Sequence, residues 1–308
     1  MGLPRAAVGL LSDVFSRLGL SGRIATLGRQ HVYVSPAEAI AFAAEHSFPV
    51  TDINPTLHRE PSLRSRGYIS DDSLFQLLGF SECVRIDNSD YEGADKILDL
   101  NVKETPNDLI DSFDVVLDCG TVEHVFDVNA SLSHCLRMTR PGGCIIHLSP
   151  SSNAVNHGFY SISPTLYQDF YSASGCEVEM ICLCRMGKNF LRGKWEVYDC
   201  SPTDRDWLPL GRLGDGIWCT FAVLKKLEGA EPKVPQQGFY SSTWKTAQVS
   251  TGDEEPPDSK AGRLLHSTKR WPVLNSGAQW LISTWRNFLN WYDERKRGRV
   301  PYPKLGDY

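Results

Sequence analysis

No stretch of this chain approaches ~18 uninterrupted apolar residues, so no membrane-spanning helix is expected. An excess of positive charge is also missing: 32 Lys and Arg stand against 37 Asp and Glu, a formal net charge of -5, with a pI of about 5.9. Bulk binding of nucleic acid needs a basic surface, so no nucleic-acid partner is expected. Nor is there a disulfide or zinc framework among the nine cysteines, an odd number scattered along the chain. Cys83, Cys144, Cys182, Cys184 and Cys219 fall in strand-like apolar runs, where a thiol serves as a small buried hydrophobe. Cys182 and Cys184 share a strand face, but no second ligand pair has zinc-like spacing, and no metal site is expected. No secretory leader is expected either. The opening MGLPRAAVGLLSDVFSRLGL is interrupted by Ser12, Asp13 and Arg17 and reads as an amphipathic helix, which points to a cytoplasmic protein. No internal repeat is evident.

What is present centres on residues 113–152, FDVVLDCGTVEHVFDVNASLSHCLRMTRPGGCIIHLSPSS, one strand, helix, strand unit. FDVVLD is a short β-branched run, the pattern of a strand buried on both faces of a parallel sheet. Gly120 and Thr121 end it. Val122, Val125, Leu132, Leu136 and Met138 follow at mostly helical spacing until Pro141, Gly142 and Gly143 stop the helix, and CIIHLSP is the next strand. Ligands of open parallel sheets bind outside the carboxyl ends of the strands, which places residues 118–124 and 149–153 around a pocket.

The 308 residues suit either two domains of about 150 residues or one α/β domain with additions. RIATLG (23–28) reads as the first strand and 36–46 as an Ala-rich helix. Residues 47–70, with Pro49, Pro55, Pro61 and Gly67, read as an inserted loop of a length often found in lids. A short helix (72–78) and strands CVRID (83–87) and KILDLN (96–101) follow. After 157–175, a loop and an aromatic helix with Leu166, Phe170 and Tyr171 inward, strands at 178–186, 195–200 and 217–226 are joined only by loops, so this end of the sheet is expected to be antiparallel. The domain is thus read as 1–227, with 228–262 a linker or wrapping arm and 263–308 a helical tail. In that tail Leu281, Trp285, Phe288 and Tyr292 recur at helical spacing before the basic run ERKRGR. Trp271, Trp280, Trp285 and Trp291 suit self-packing or a homodimer contact, with a membrane-surface helix as the alternative.

This order of elements, over roughly residues 20–227, resembles the class I S-adenosylmethionine-dependent methyltransferase family, and specifically its small-molecule branch. The segment FDVVLDCGTVEHV followed by RMTRPGGCIIHLSP looks like the fourth strand, its exit and the turn before the fifth. The fold implied is α/β: a Rossmann-like, mostly parallel sheet with an antiparallel C-terminal edge, here with a C-terminal helical extension. By the same resemblance S-adenosyl-L-methionine is the cofactor, Asp87 would bind the ribose hydroxyls, Asp99 and Leu100 would meet the adenine, and Gly28, Asp118 and Gly120 would line its site. Glu123 and His124 correspond to a pair that recurs in quinone- and sugar-modifying members. A carboxylate at the second strand's end suits ribose because it can accept from both hydroxyls.

The chain departs from the family at the first loop, where LGRQHVYVS stands in place of GxGxG. Only Gly28 remains, so close backbone approach to the methionine part is curtailed. Either Arg29 turns inward and pairs with the cofactor carboxylate, or it points to solvent or blocks the site and the fold has lost its cofactor. Methyl transfer to a hydroxyl needs alignment and a base near the methyl group. His124, His157 and Tyr160 could face one cleft and are the catalytic candidates, although a His at a helix start can simply fill a gap and Tyr160 can be core. Asp118 can equally be a structural acid bonded to backbone amides, and Glu123 near a helix N-terminus is favoured by the dipole regardless of catalysis. The reading is O-methylation of a small molecule or glycan precursor. A non-catalytic scaffold of the same fold is the alternative, and a dinucleotide-dependent oxidoreductase is a third, disfavoured by the absent GxGxxG.

Overall fold

A computed structural model describes residues 2–49, 53–200, 213–238 and 303–308. The chain forms two compact units, Met1–Ser201 with Asp215–Pro235 and Lys304–Tyr308, and Pro202–Gly214 with Gln236–Pro303. Almost all of the second lies outside the described residues, as do the helix expected over 276–295 and its tryptophans.

The first unit is built on one sheet of nine strands: β1 (Gly22–Leu27), β2 (Phe80–Asp87), β3 (Lys96–Ile97), β4 (Phe113–Cys119), β5 (Thr139–Ser152), β6 (Cys176–Arg185), β7 (Glu196–Asp199), β8 (Trp218–Lys226) and β9 (Lys304–Asp307). Their order is β3-β2-β1-β4-β5-β8-β6-β7-β9. Strands β1 to β5 pair in parallel, whereas β8 runs antiparallel to both β5 and β6. This is the expected Rossmann-like sheet with an antiparallel C-terminal side. One element differs from the helical tail read from the sequence: Lys304–Asp307 is a strand that pairs antiparallel with β7 at the sheet edge.

Period-two alternation decides the layering. Ile24, Val115, Leu117, Ile146, Phe221 and Val223 enter one core, while Ala25, Val116, Ile145, Ala222 and Leu224 enter the other. Helix α1 (Arg5–Arg17) packs into the first core. Nine of its residues are buried, more than an amphipathic surface helix would bury, because α2 (Pro36–Glu45) covers it. Helix α2 starts at a capping box between Ser35 and Glu38, with Pro36 at its first position, a combination that satisfies two orphan N–H groups. Helix α3 (Pro61–Arg64) lies within the 47–70 insertion, whose Leu57 and Ile69 form a bridge. On the other face, α6 (Pro164–Ala173) buries Tyr167, Phe170 and Tyr171. Ala230 of the expected arm is also buried in that core.

The helix expected from Val122 onward is interrupted. Val122–His124 is a 3-10 turn, and α5 (Val128–Met138) begins only at Val128, where the Asp127 side chain accepts from the Ala130 N–H at 2.9 Å. That cap fixes the start of α5 and leaves Glu123 and His124 on the loop between strand and helix. Glu123 therefore does not stand at a helix N-terminus. Pro141, Gly142 and Gly143 lie inside the span of β5, in an irregular step where Phe113 pairs with Thr139 and Val115 with Cys144.

Candidate cofactor and acceptor site

A cleft of about 210 Å³ opens at the carboxyl ends of β1, β2 and β4, lined among others by Gly28, Arg29, Gln30, Asp87, Glu92 and Thr121. Gly28 stands at φ +70 and its N–H donates to the Ile86 carbonyl at 2.7 Å. A Cβ there would meet Asp87 Oδ2 at 3.5 Å and Thr121 Oγ1 at 3.7 Å, so Gly28 faces the cleft between the acid and the hydroxyl. Thr121 Oγ1 donates to the Leu27 carbonyl at 2.9 Å and ties the β4 exit to the β1 exit. Gly28→Ala is expected to destabilise the protein by about 1–2 kcal/mol, since an L-residue is strained at that φ. Thermal unfolding measures it, and an unchanged midpoint would show that the loop relaxes freely.

Arg29 turns inward, onto a carboxylate and two carbonyls of the protein itself. Its guanidinium is buried and forks onto Asp71, at 3.0 and 3.1 Å to the two carboxylate oxygens. Nε donates to the Glu92 carbonyl at 2.7 Å and the remaining nitrogen to the Gly93 carbonyl at 2.8 Å. Asp71, the first residue of α4 (Asp71–Leu77), also accepts from Arg85 Nε at 3.0 Å. The loop after β1 is thereby clamped to α4 and to the β2–β3 turn by side chains rather than by glycine backbone. Gln30 donates to the Leu27 carbonyl at 3.1 Å, while its Oε1 is buried without a hydrogen-bond partner.

Asp87 ends β2 at the cleft. Its Oδ1 accepts the Asn88 N–H at 2.6 Å, and among the described residues no group donates to Oδ2. Asp99 and Leu100 are not brought to the cleft lining. Asp99 is exposed and accepts from the N–H and side-chain amide of Asn101, both at 2.9 Å, which holds its carboxyl below the usual range. Leu100 is packed in the second core.

Asp118 turns inward. One oxygen accepts the Thr121 and Val122 N–H groups at 3.0 and 3.2 Å, the structural arrangement weighed for it above, and Gly120 at φ +87 makes that turn. The other oxygen lies 2.8 Å from His147 Nδ1, and His147 Nε2 lies 2.7 Å from the Tyr171 hydroxyl. The His147 ring stacks on Tyr167 at 4.3 Å between centroids. All of these side chains are buried. His147 was legible in part: it is the one histidine in CIIHLSP, and it pairs in register with Asp118 across β4 and β5.

His124 and His157 do meet, with ring centroids 5.1 Å apart. Between them lies Glu123, fully buried, with both carboxylate oxygens lacking a hydrogen-bond partner. Burial, reinforced by the charge of Asp118, pushes the Glu123 carboxyl up to about 8. Burial and the neighbouring His157 lower the His124 pKa, which keeps its imidazole neutral at pH 7 and able to accept a proton. The loop bearing His157 is fastened by the Phe159 and Tyr160 N–H groups, which donate to the Glu123 carbonyl at 2.8 and 3.3 Å. Tyr160 donates its hydroxyl to the Phe126 carbonyl at 2.8 Å, an anchor for this loop. Exposed Phe126 and Phe159, edge to face at 5.6 Å, rim the same region.

Residues 79–147 match the family model described as a methyltransferase domain. Over that segment the chain is similar to methyltransferase domains, and the sheet around it is Rossmann-like. The matched segment spans β2 to the middle of β5 and so contains Asp87, Asp118 and the Glu123–His124 turn. No curated protein matches the sequence. Among solved structures, the chain is similar to the YcgJ protein of Bacillus subtilis, at 12% identity, 72% of this chain, 98% of that one and a TM-score of 0.36. A protein of Bacillus halodurans C-125, described as a candidate methyltransferase, shows 11% identity over 70% of this chain and 95% of that one, with a TM-score of 0.34. The branched-chain polyamine synthase of Thermus thermophilus shows 14% identity over 76% and 60%, with a TM-score of 0.35. Among the described residues, no helix is long and apolar enough to cross a membrane.

Proposed function

We propose that this protein transfers a methyl group from S-adenosylmethionine to an oxygen of a small molecule or glycan precursor. The observation that carries the reading is the pairing of Asp87 with Gly28 across the cleft at the ends of β1 and β2. A carboxylate with one uncommitted oxygen suits a ribose diol. The lone Gly28 lets the cofactor approach the backbone on that side, and the buried Gln30 Oε1 offers an acceptor to an ammonium group. Bound there, the cofactor supplies an electrophilic methyl group on a sulfonium. The chain's part is to hold cofactor and acceptor in line and to keep water from the reacting atoms. The imidazoles of His124 and His157, which meet beside Glu123, are the groups to which an acceptor hydroxyl would give up its proton.

A second reading, a binding protein that retains the fold, is favoured by Arg29. Its guanidinium is engaged by Asp71 and two carbonyls and offers little to a cofactor carboxylate. Calorimetric titration with S-adenosylmethionine, S-adenosylhomocysteine and NAD separates the readings. Micromolar binding of the first two without NAD is expected, and Asp87→Ala should weaken it by at least ~1.5 kcal/mol, about tenfold, with the fold intact. A folded protein that binds none of the three would sink the enzyme reading. Unchanged affinity in Asp87→Ala would remove the ribose assignment alone.

A further inference from the structure

The sequence alone predicts no metal site, because no second ligand pair with zinc-like spacing accompanies Cys182 and Cys184. The fold assembles a different set. The 3-10 turn after β4 supplies Glu123 and His124, and the loop after β5 returns His157 to them. His157 Nε2 lies 3.5 Å from Glu123 Oε1, His124 Nε2 lies 3.9 Å from the same oxygen, and the three ligand atoms fall within 4.8 Å of one another. Two ligands each about 2.1 Å from a common tetrahedral ion stand roughly 3.4 Å apart, so only tenths of an ångström of side-chain adjustment separate the carboxylate–imidazole pairs from that spacing.

A second observation is independent of these distances. Glu123 is completely buried and neither of its carboxylate oxygens has a hydrogen-bond partner. A buried carboxylate without a donor costs several kcal/mol and is normally paired or bound to a cation. The groups nearest it are the two imidazoles, both exposed on their outer sides, at 44% and 39%. An ion held between them would have three protein ligands on its inner side and an open position outside. We propose that Glu123, His124 and His157 form a binding site for a divalent transition-metal ion of the zinc class, with the open position facing the acceptor. Two imidazoles and one carboxylate with an open position make a donor set suited to Zn²⁺ and its neighbours rather than to Mg²⁺ or Ca²⁺. An ion there would occupy the imidazole lone pairs and so replace the free histidines as the means of drawing off the proton, by lowering the pKa of a coordinated hydroxyl. Only this role of the ion, not its binding, rests on the methyl-transfer reading.

The test uses the untagged, full-length protein after chelator treatment and dialysis, titrated with Zn²⁺ by calorimetry and with Co²⁺ by visible absorbance. One ion per chain at micromolar or tighter affinity is expected. His157→Ala, on an exposed loop and so compatible with folding, should weaken binding at least about tenfold. Glu123→Gln should do the same and lose the Co²⁺ bands, while His46→Ala, remote from the cluster in sequence and bonded to the Phe42 carbonyl, should change nothing. Equal affinity in wild type and His157→Ala, or no binding to the wild type, would overturn the site. S-adenosylmethionine titrated into the metal-free protein reports on the methyltransferase reading separately: binding without zinc affinity refutes the metal site and leaves that reading standing.

Discussion

Replacing Asp71 with Ala is expected to lower the unfolding free energy by about 3–5 kcal/mol, because it strips the shared counter-charge from two buried guanidiniums. Arg29 and Arg85 have side chains only 6% exposed, and each lies 3.0 Å from an Asp71 oxygen. Arg85 also reaches Asp72 and Asp95, whereas Arg29 has no other carboxylate partner among the described residues. The two single arginine variants should therefore differ from Asp71→Ala. Arg29→Ala leaves Asp71 still paired with Arg85 and should cost less, although it frees the Glu92 and Gly93 carbonyls. Urea unfolding measures all three. An Asp71→Ala midpoint no lower than that of Arg29→Ala would refute the shared-counterion argument. Loss of the clamp should also loosen the first loop, so a cofactor titration on a still-folded Arg29→Ala should show weaker binding if the clamp replaces the missing glycines.

That clamp marks a boundary of what could be read from the chain. The strands were legible because burial on both faces writes a dense β-branched run, as in FDVVLD, and their carboxyl ends located Gly28, Asp87 and the β4 exit. Partners in contact across long stretches of sequence leave no local trace. Asp71 is 42 residues from Arg29, and nothing in DDSLF distinguishes an acid aimed at a buried guanidinium from a solvated one at a helix start. Asp99 failed to reach the cleft for a related reason. β3 is only Lys96–Ile97, so the chain turns before Asp99 and its carboxylate is taken by Asn101. The helix expected from Val122 was misplaced because apolar spacing continued through the turn, while the Asp127 cap, a single side chain, decided where the helix starts.

Asp118→Ala carries the other large expected effect, again about 3–5 kcal/mol of stability. It leaves three donors without a partner: the half-buried Thr121 N–H, the buried Val122 N–H and buried His147 Nδ1. Asp118→Asn divides that sum. The amide oxygen can still accept the two backbone N–H groups, but its NH₂ now faces His147 Nδ1, which can take it only as an acceptor, with the proton moved to Nε2 toward Tyr171. Since a hydroxyl can accept as well as donate, that rearrangement is open, and Asp118→Asn should cost clearly less than Asp118→Ala. Equal losses would mean that the charge of Asp118 matters more than its geometry. The consequence extends to the candidate site, because the turn fixed by Asp118 carries Thr121 to the cleft at the strand ends and Glu123 and His124 to the cluster with His157. A folded Asp118→Asn protein should therefore keep its cofactor affinity, whereas any Asp118→Ala protein that folds should lose it along with the order of the turn.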